Sequence, residues 1–467
     1  MSAESAAHPE VATGIELLSA WIEAQMAQRG EPGLSIGIVH DQELVWARGF
    51  GYADLNEQIS ATAATRYRIA SITKLFTGTG ILMLRDAGML QLDDPVERHL
   101  PWFNIRQRFP DAPAITIRHL LTHTAGLPRE AAFPYWTDAD FPTREQVRDT
   151  LPRQETAYPT ETRWKYSNLA LVLAGEVVAA VSGQPYKDFV QQRILDPLGM
   201  RDTLVGPPHP GAAGVAVGHG RRRPGAERPV LSAGVDYRGI AAAANMTSNV
   251  TDLAKFATLQ FRDGPAKGDQ LLRGSTVREM QRVHWLDPSW EYGWGLGFKV
   301  IRQGNATYVG HSGQAPGYRT QMLLHPADKT GVIVLSNAHD CDSLRCCYRA
   351  FQWVLPAVLR AAVPDPEPEP VTPDPGWQRY VGRYRDAWSD SQVLVHGGKL
   401  VIIDPAADDP LDTVATLTPV AEHVFRYESG DGYSSSGELA VFEVDDADKV
   451  QRLKLDENYT YPVPHWH

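Results

Sequence analysis

The chain has 467 residues and a formal net charge of −11, with 43% hydrophobic and 22% charged residues. That length asks for two or three domains, the apolar share is that of a globular chain, and the acidic balance disfavours a nucleic-acid partner. No run of eighteen apolar residues exists: the best candidate, residues 170–181, is broken by Glu176, which disfavours a membrane partner.

The first ten residues, MSAESAAHPE, lack the basic start and apolar core of a secretory signal. Cys341, Cys346 and Cys347 cluster in one segment, odd in number and without metal-ligand spacing. The expectation is a reducing, cytoplasmic setting, with no disulfide framework, metal or cofactor.

In chain order, residues 15–26 read as an amphipathic helix. Residues 34–39 and 43–47 are β-rich runs joined by His40-Asp41-Gln42, a hairpin signal, and 50–55 stay extended. The stretch 70–88, ASITKLFTGTGILMLRDAG, follows. Ser71 is a good helix-cap type, Gly88 is a good stop, and apolar residues lie on several faces, as in a helix buried on most sides. Asp93-Asp94-Pro95 starts a short helix that Pro101 ends. Residues 116–121 make another helical turn before Thr122-His123-Thr124-Ala125-Gly126-Leu127. Residues 129–142 form an aromatic-rich loop, and 143–151 a helix. Trp164-Lys165-Tyr166-Ser167-Asn168 stands directly before an apolar helix over 169–181, and 186–194 is helical.

Residues 205–241, rich in Gly, Pro and Arg, form a long irregular excursion of a kind that is more often functional than core. A helix over 251–261 precedes strands at 295–301, 306–310, 321–325 and 331–335, an antiparallel meander, and then a helix over 343–362 interrupted at Pro356. The order predicts an α/β (α+β) fold: an antiparallel sheet completed by both ends of one domain and flanked by helices, with a helical insertion. Alternating Pro and acidic residues at 363–376, VPDPEPEPVTPDPG, read as a stiff solvated linker. Beyond it, strands at 377–384, 391–396, 400–403, 424–427, 439–444 and 450–455 predict a small C-terminal antiparallel barrel. The expected domains are therefore 1–362 and 377–467.

Three short motifs carry chemistry. Ser71 and Lys74 are three residues apart, so both leave one face of the first helical turn. An amine beside a hydroxyl in a poorly solvated site has a lowered proton affinity and helps to remove the hydroxyl's proton. The helix start also offers backbone N–H groups to a developing oxyanion. Tyr166-Ser167-Asn168 supplies a phenol and an amide at a helix start, and Gly310-His311-Ser312-Gly313 reads as the end of a strand that lets a ligand approach closely.

In this order and spacing the three motifs resemble the set of the serine β-lactamase and penicillin-binding-protein superfamily. The Y-S-N form is similar to its class C-like branch, which holds class C β-lactamases, D,D-peptidases, D-aminopeptidases and family VIII carboxylesterases. Supporting matches are residues 119–127, 292–297 and 310–318. The resemblance covers roughly residues 14–362, and the tail is similar to the lipocalin-like domain of some relatives.

The resemblance implies that Ser71 is the nucleophile, that Lys74 and Tyr166 share its activation, and that Tyr166 passes a proton to the leaving group. It implies that Asn168 holds Lys74 and contacts substrate, and that the N–H groups of Ser71 and Gln314 form an oxyanion hole. His311, Ser312 and Gly313 stand where many β-lactamases carry a Lys-led triplet. A His there is neutral much of the time near neutral pH, which resembles the peptidase and esterase branches more than efficient β-lactamases. The expected substrate is a small-molecule ester or amide. The alternatives are a D-amino-acid peptide, a β-lactam cleaved weakly, or a silent binding or scaffold role. His119 and His123 are expected to be structural, and aromatics at 133–141 and 285–294 hint at an apolar substrate part. Oligomeric state stays open.

Overall fold

Near-continuous apolar strands explain how the main sheet is buried. GLSIGIVH (β1, Gly33–His40) and TGVIVLS (β9, Thr330–Ser336) are almost wholly buried, as strands covered on both faces must be. The computed structural model describes residues 8–463 apart from 210–211, 224, 226, 265–269, 363–373 and 408–409. Most of the expected linker, 363–373, lies outside the described residues. The chain divides into two compact units, residues 1–363 and 364–467.

In the first unit, β1 pairs with β2 (Glu43–Asp54), which pairs with β3 (Ile59–Ser60). The remaining strands come from far along the chain: β4 (Trp285–Leu286), β5 (Tyr292–Trp294), β6 (Lys299–Gln303), β7 (Ala306–Ala315), β8 (Tyr318–His325) and β9. Among the described residues the order is β3-β2-β1-β9-β8-β7-β6-β5-β4, with antiparallel neighbours throughout. The sheet is completed from both ends, and residues 61–284 are inserted between them. One face carries Ile36, Ile38, Val332 and Val334 against α1 (Pro9–Arg29), α7 (Ser343–Trp353) and α8 (Leu355–Ala362). The other carries Ile333 and Leu335 against the core of the insertion. That core includes α2 (Thr73–Asp86), α3 (Ile117–Thr122), α4 (Asn168–Ser182), α5 (Ala241–Ala244) and α6 (Val250–Leu259).

Two details differ from the sequence reading. The motif at 310–313 lies inside β7, which runs on to Ala315, rather than at a strand end. The break in the last helix falls at Val354, with Pro356 tolerated in the first turn of α8, where its missing N–H has no helical partner to lose.

The second unit is a closed barrel of eight antiparallel strands, β10 to β17: Gly382–Arg385, Asp390–His396, Lys399–Ile403, Ala415–Ala421, Val424–Glu428, Leu439–Val444, Val450–Leu455 and Asn458–Val463. It fits a lipocalin-like domain. The first strand pairs with the last, Tyr384 opposite Pro462, so the barrel leaves no open edge. Six strands were expected. The two missed ones contain Pro419 and Pro462, which weaken a strand signal, and Pro419 sits at a register shift, where proline is tolerated. Residues 377–380, the first half of an expected strand, belong instead to a 3-10 turn over Pro375–Tyr380, whose Tyr380 stacks on Phe442 at 4.4 Å in the barrel core.

Candidate active site

Ser71 is delivered by a strained turn. Tyr67–Arg68 pairs with Met246–Ser248, and the Ile69 N–H donates to the Met246 carbonyl at 3.0 Å. Ala70 then takes φ 47°, a left-handed conformation that costs a non-glycine residue about 1–2 kcal/mol. Ser71 lies in the 3-10 turn Ala70–Ile72 just before α2 and makes no capping bond there, contrary to the sequence reading. Its Oγ is instead the target of two donors. The Lys74 ammonium donates to it at 3.0 Å and the Tyr166 hydroxyl at 2.9 Å.

The Lys74 side chain is 0% exposed. Its other two donor bonds go to Asn168 Oδ1 at 2.7 Å and the Ala243 carbonyl of α5 at 2.8 Å. Burial holds its proton affinity well below the ordinary lysine value; the Glu130 charge opposes this and Arg129 adds to it. Burial pushes the Tyr166 phenol the other way, upward, with its bond to Ser71 opposing. Lys74 is thus the easier group to find neutral, and Tyr166 the easier to find protonated. Asn168 opens α4 next to its cap, Ser167, whose Oγ accepts from the Ala170 N–H at 2.9 Å. The Asn168 amide nitrogen donates to both oxygens of Glu130, at 2.8 and 3.0 Å.

A second group of side chains is aromatic. His311 Nδ1 lies 2.6 Å from the Ser312 carbonyl, so Nδ1 carries the proton and Nε2 is bare. Burial first, then the Lys74 charge, push its proton affinity down to about 3. His123 ends α3 in a left-handed turn, and its Nδ1 accepts from the Ser167 N–H at 3.2 Å, so its proton is on Nε2. Burial, then Lys74 and His311, hold it neutral well below the ordinary histidine value. The His123 ring lies 4.5 Å from Tyr166 and 5.0 Å from Trp294, whose own ring is 5.1 Å from Trp164 and 5.7 Å from His311. Among the described residues His123 Nε2, Trp164 Nε1, Trp294 Nε1 and His311 Nε2 are buried without a hydrogen-bond partner.

Ser71, Tyr166, Asn168, His311, Ser312 and Gln314 all line one cleft of about 710 Å³, and Lys74 lies directly beneath Ser71. Gly313 does not line it. A Cβ there would lie 2.1 Å from Thr320 Oγ1 and 2.2 Å from the Ile69 carbonyl, so glycine lets β7 pass against the turn that presents Ser71. The Gln314 side chain bonds His339 at 2.9 Å and accepts from Arg319. His119 accepts the Thr116 N–H at 3.1 Å in a capping box, the structural role expected of it. Of the aromatic segments, Trp136, Tyr292 and Trp294 reach the cleft, whereas Tyr135 and Phe141 are core.

The sequence reading missed Glu130, Arg129, Lys299 and Arg319, all of which line the cleft, and the Ala243 carbonyl. Arg129 and Glu130 lie two and three residues after the match at 119–127, and Lys299 two residues after the match at 292–297, so proximity to those matches was the one available signal. Among the described residues the Lys299 ammonium makes no hydrogen bond or ion pair. Its ammonium lies 4.8 Å over the Tyr292 ring, and burial lowers its proton affinity. Among the described residues, no group of three or more His, Cys, Asp and Glu side chains is placed to hold a metal ion.

The Beta-lactamase family model matches residues 18–344. The chain belongs to that family. Its members are serine hydrolases, among them β-lactamases, amidases and penicillin-binding proteins. A curated relative, Protein flp of Staphylococcus aureus (strain MW2), is 27% identical over 327 residues, 68% of this chain and 61% of the relative's own length. The octameric penicillin-binding protein homologue from Pyrococcus abyssi superposes with a TM-score of 0.64 at 26% identity, covering 96% of this chain and 99% of that one. The D-amino acid amidase from Ochrobactrum anthropi SV3, solved with D-phenylalanine, gives a TM-score of 0.58 at 28% identity, covering 74% of this chain and 98% of the amidase.

Proposed function

We propose that this protein is a serine hydrolase that cleaves a small ester or amide through an acyl-enzyme on Ser71. The observation that carries the reading is the convergence of Lys74 and Tyr166 on Ser71 Oγ, at 3.0 and 2.9 Å. Neutral Lys74 takes the Ser71 proton as Oγ attacks the substrate carbonyl. The oxyanion forms toward the backbone N–H groups of Ser71 and Gln314. As the intermediate collapses, the bond to the leaving group breaks, Tyr166 protonates that group, and Lys74 returns its proton to Tyr166. Water then attacks the acyl carbonyl by the same relay in reverse, restoring Ser71.

A neutral His311 supports an acyl group without a carboxylate as substrate. The amidase relative supports a D-amino-acid amide within that class. Lys299, an ammonium without an anionic partner among the described residues at the same cleft, favours a second reading: a peptide or lactam that bears a carboxylate. The test is a screen of p-nitrophenyl esters, D-aminoacyl amides and a chromogenic cephalosporin on the wild type and Ser71→Ala. Turnover and covalent labelling by a fluorophosphonate are expected to vanish in Ser71→Ala while the fold persists. Normal turnover in that variant removes the assignment, and a large wild-type preference for the cephalosporin replaces the ester and amide reading with a β-lactamase one.

A further inference from the structure

An asparagine amide can present either its oxygen or its nitrogen to a neighbour, and the two ends have opposite meaning for an amine. We propose that Glu130 is a positioning residue that, with the Tyr135 hydroxyl, turns the Asn168 amide so that its oxygen faces Lys74 and places Lys74 against Ser71. The proposal rests on Ser71 being the nucleophile.

A carboxylate only accepts hydrogen bonds, so the end of Asn168 that meets Glu130 must be Nδ2, at 2.8 and 3.0 Å. Oδ1 is thereby directed to Lys74, 2.7 Å away. Glu130 itself is held on several sides. The Tyr135 hydroxyl donates to Oε2, and Arg129 Nε lies 3.3 Å from Oε1. Burial, then the Glu130 charge, raise the Tyr135 proton affinity, so this phenol stays a donor. The Tyr135 ring is packed against Phe141 at 5.0 Å and Trp136 at 5.5 Å. The backbone registers the two segments: the Asn168 N–H donates to the Arg129 carbonyl at 2.7 Å, Ser167 Oγ to the Pro128 carbonyl at 2.6 Å, and Gln154 to the Glu130 carbonyl at 2.9 Å. The sequence reading left Glu130 in an aromatic loop; in the fold it is the second link in a chain of hydrogen bonds from Tyr135 through Asn168 and Lys74 to Ser71.

Charge gives the same chain a second consequence. The groups that face Lys74 are Arg129, Glu130, Tyr166, His123 and His311, and Glu130 alone among them is an anion. Removing its charge leaves Lys74 among cations and neutral groups, so Lys74 loses its proton more easily. The acid limb of the rate, which follows the deprotonation of Lys74, then moves to lower pH. A purely structural role for Glu130 changes no such midpoint.

The test measures the rate of fluorophosphonate labelling at Ser71 against pH, by intact-protein mass spectrometry, for wild type, Glu130→Ala, Glu130→Gln and Tyr135→Phe. Glu130→Ala is expected to slow labelling on the order of a hundredfold, as a displaced reacting group does, and to lower the acid midpoint. Glu130→Gln keeps an acceptor for Asn168 Nδ2, so most of the rate returns while the midpoint stays low. Tyr135→Phe falls between wild type and Glu130→Ala. Wild-type rate and midpoint in both Glu130 variants overturn the proposal. Absence of wild-type labelling at Ser71 counts against the hydrolase reading instead. In that case the Lys74 titration, followed by lysine-selective 13C NMR, still decides on Glu130: a lowered midpoint in Glu130→Gln supports it and an unchanged one overturns it.

Discussion

Around Ser71, the side chains on α2 and α4 end on one another: Lys74 on Ser71, Asn168 and Ala243, and Asn168 on Glu130. The rings of His123, Trp164, Trp294 and His311, gathered from the end of α3, β5, β7 and the loop before α4, each keep one nitrogen buried and unpaired among the described residues. Both groups are buried, so both have lost water. The first has replaced it in advance with fixed partners, which suits proton transfer because little must reorganise when charge moves. The second keeps donors and one bare acceptor, His311 Nε2, in a stiff aromatic frame. Such a surface discriminates by what a ligand pairs or leaves unpaired. Tyr166 belongs to both, with its hydroxyl on Ser71 and its ring among the others.

If the hydrogen-bonded group acts as one unit, its losses must be non-additive. Lys74→Ala and Tyr166→Phe are each expected to lower kcat on the order of a hundredfold or more, the range of general acid–base groups, and the double variant is expected to be little worse than the poorer single one. Measured kcat values that multiply would divide the unit in two.

The aromatic group is probed by His311→Lys. A fixed charge at this position is expected to shift kcat/KM toward a cephalosporin over a neutral ester by about tenfold, the factor carried by about 1.4 kcal/mol. An unchanged ratio would mean that Lys299 already supplies the charge that a carboxylate reads.

The remaining expected effect is on stability. In the fold His311 binds its proton only at about 3, against an ordinary value of 6.5, so the unfolded chain takes up the proton first as pH falls. The stability that neutral His311 preserves is complete above about 6.5 and declines toward pH 3. His123 acts in the same direction. Melting temperatures taken between pH 7 and pH 4 are expected to fall less for His311→Asn than for wild type. Equal falls would show that the folded protein accommodates a charged His311.

Some of this was legible along the chain because it depends on local order. Ser71 and Lys74 are three residues apart, so one helical turn brings them together. β1 and β9 are nearly unbroken apolar runs, so burial on both faces followed from composition. Other strands were obscured by local chemistry: Pro419 and Pro462 hid two strands of the barrel, and the aromatic stretch 285–294 hid β4 and β5. Ser71 read as a cap because a hydroxyl at a helix start usually is one. Only the fold supplied the two donors that claim its oxygen instead.

What the sequence determined by itself was the set of candidate site groups and the elements that carry them: a hydroxyl and an amine on one helix start, a phenol and an amide at another, and an imidazole on a strand. What the tertiary structure decided was their state. Lys74 is lowered, Tyr166 raised and His311 held neutral, all chiefly because the packed insertion and sheet have removed their water. Glu130, 38 residues before Asn168, bears on Lys74 only because the backbone bonds at Pro128, Arg129 and Glu130 close that distance. Desolvation and contact across such separations are properties of the folded chain, and no spacing of residues along the sequence encodes them directly.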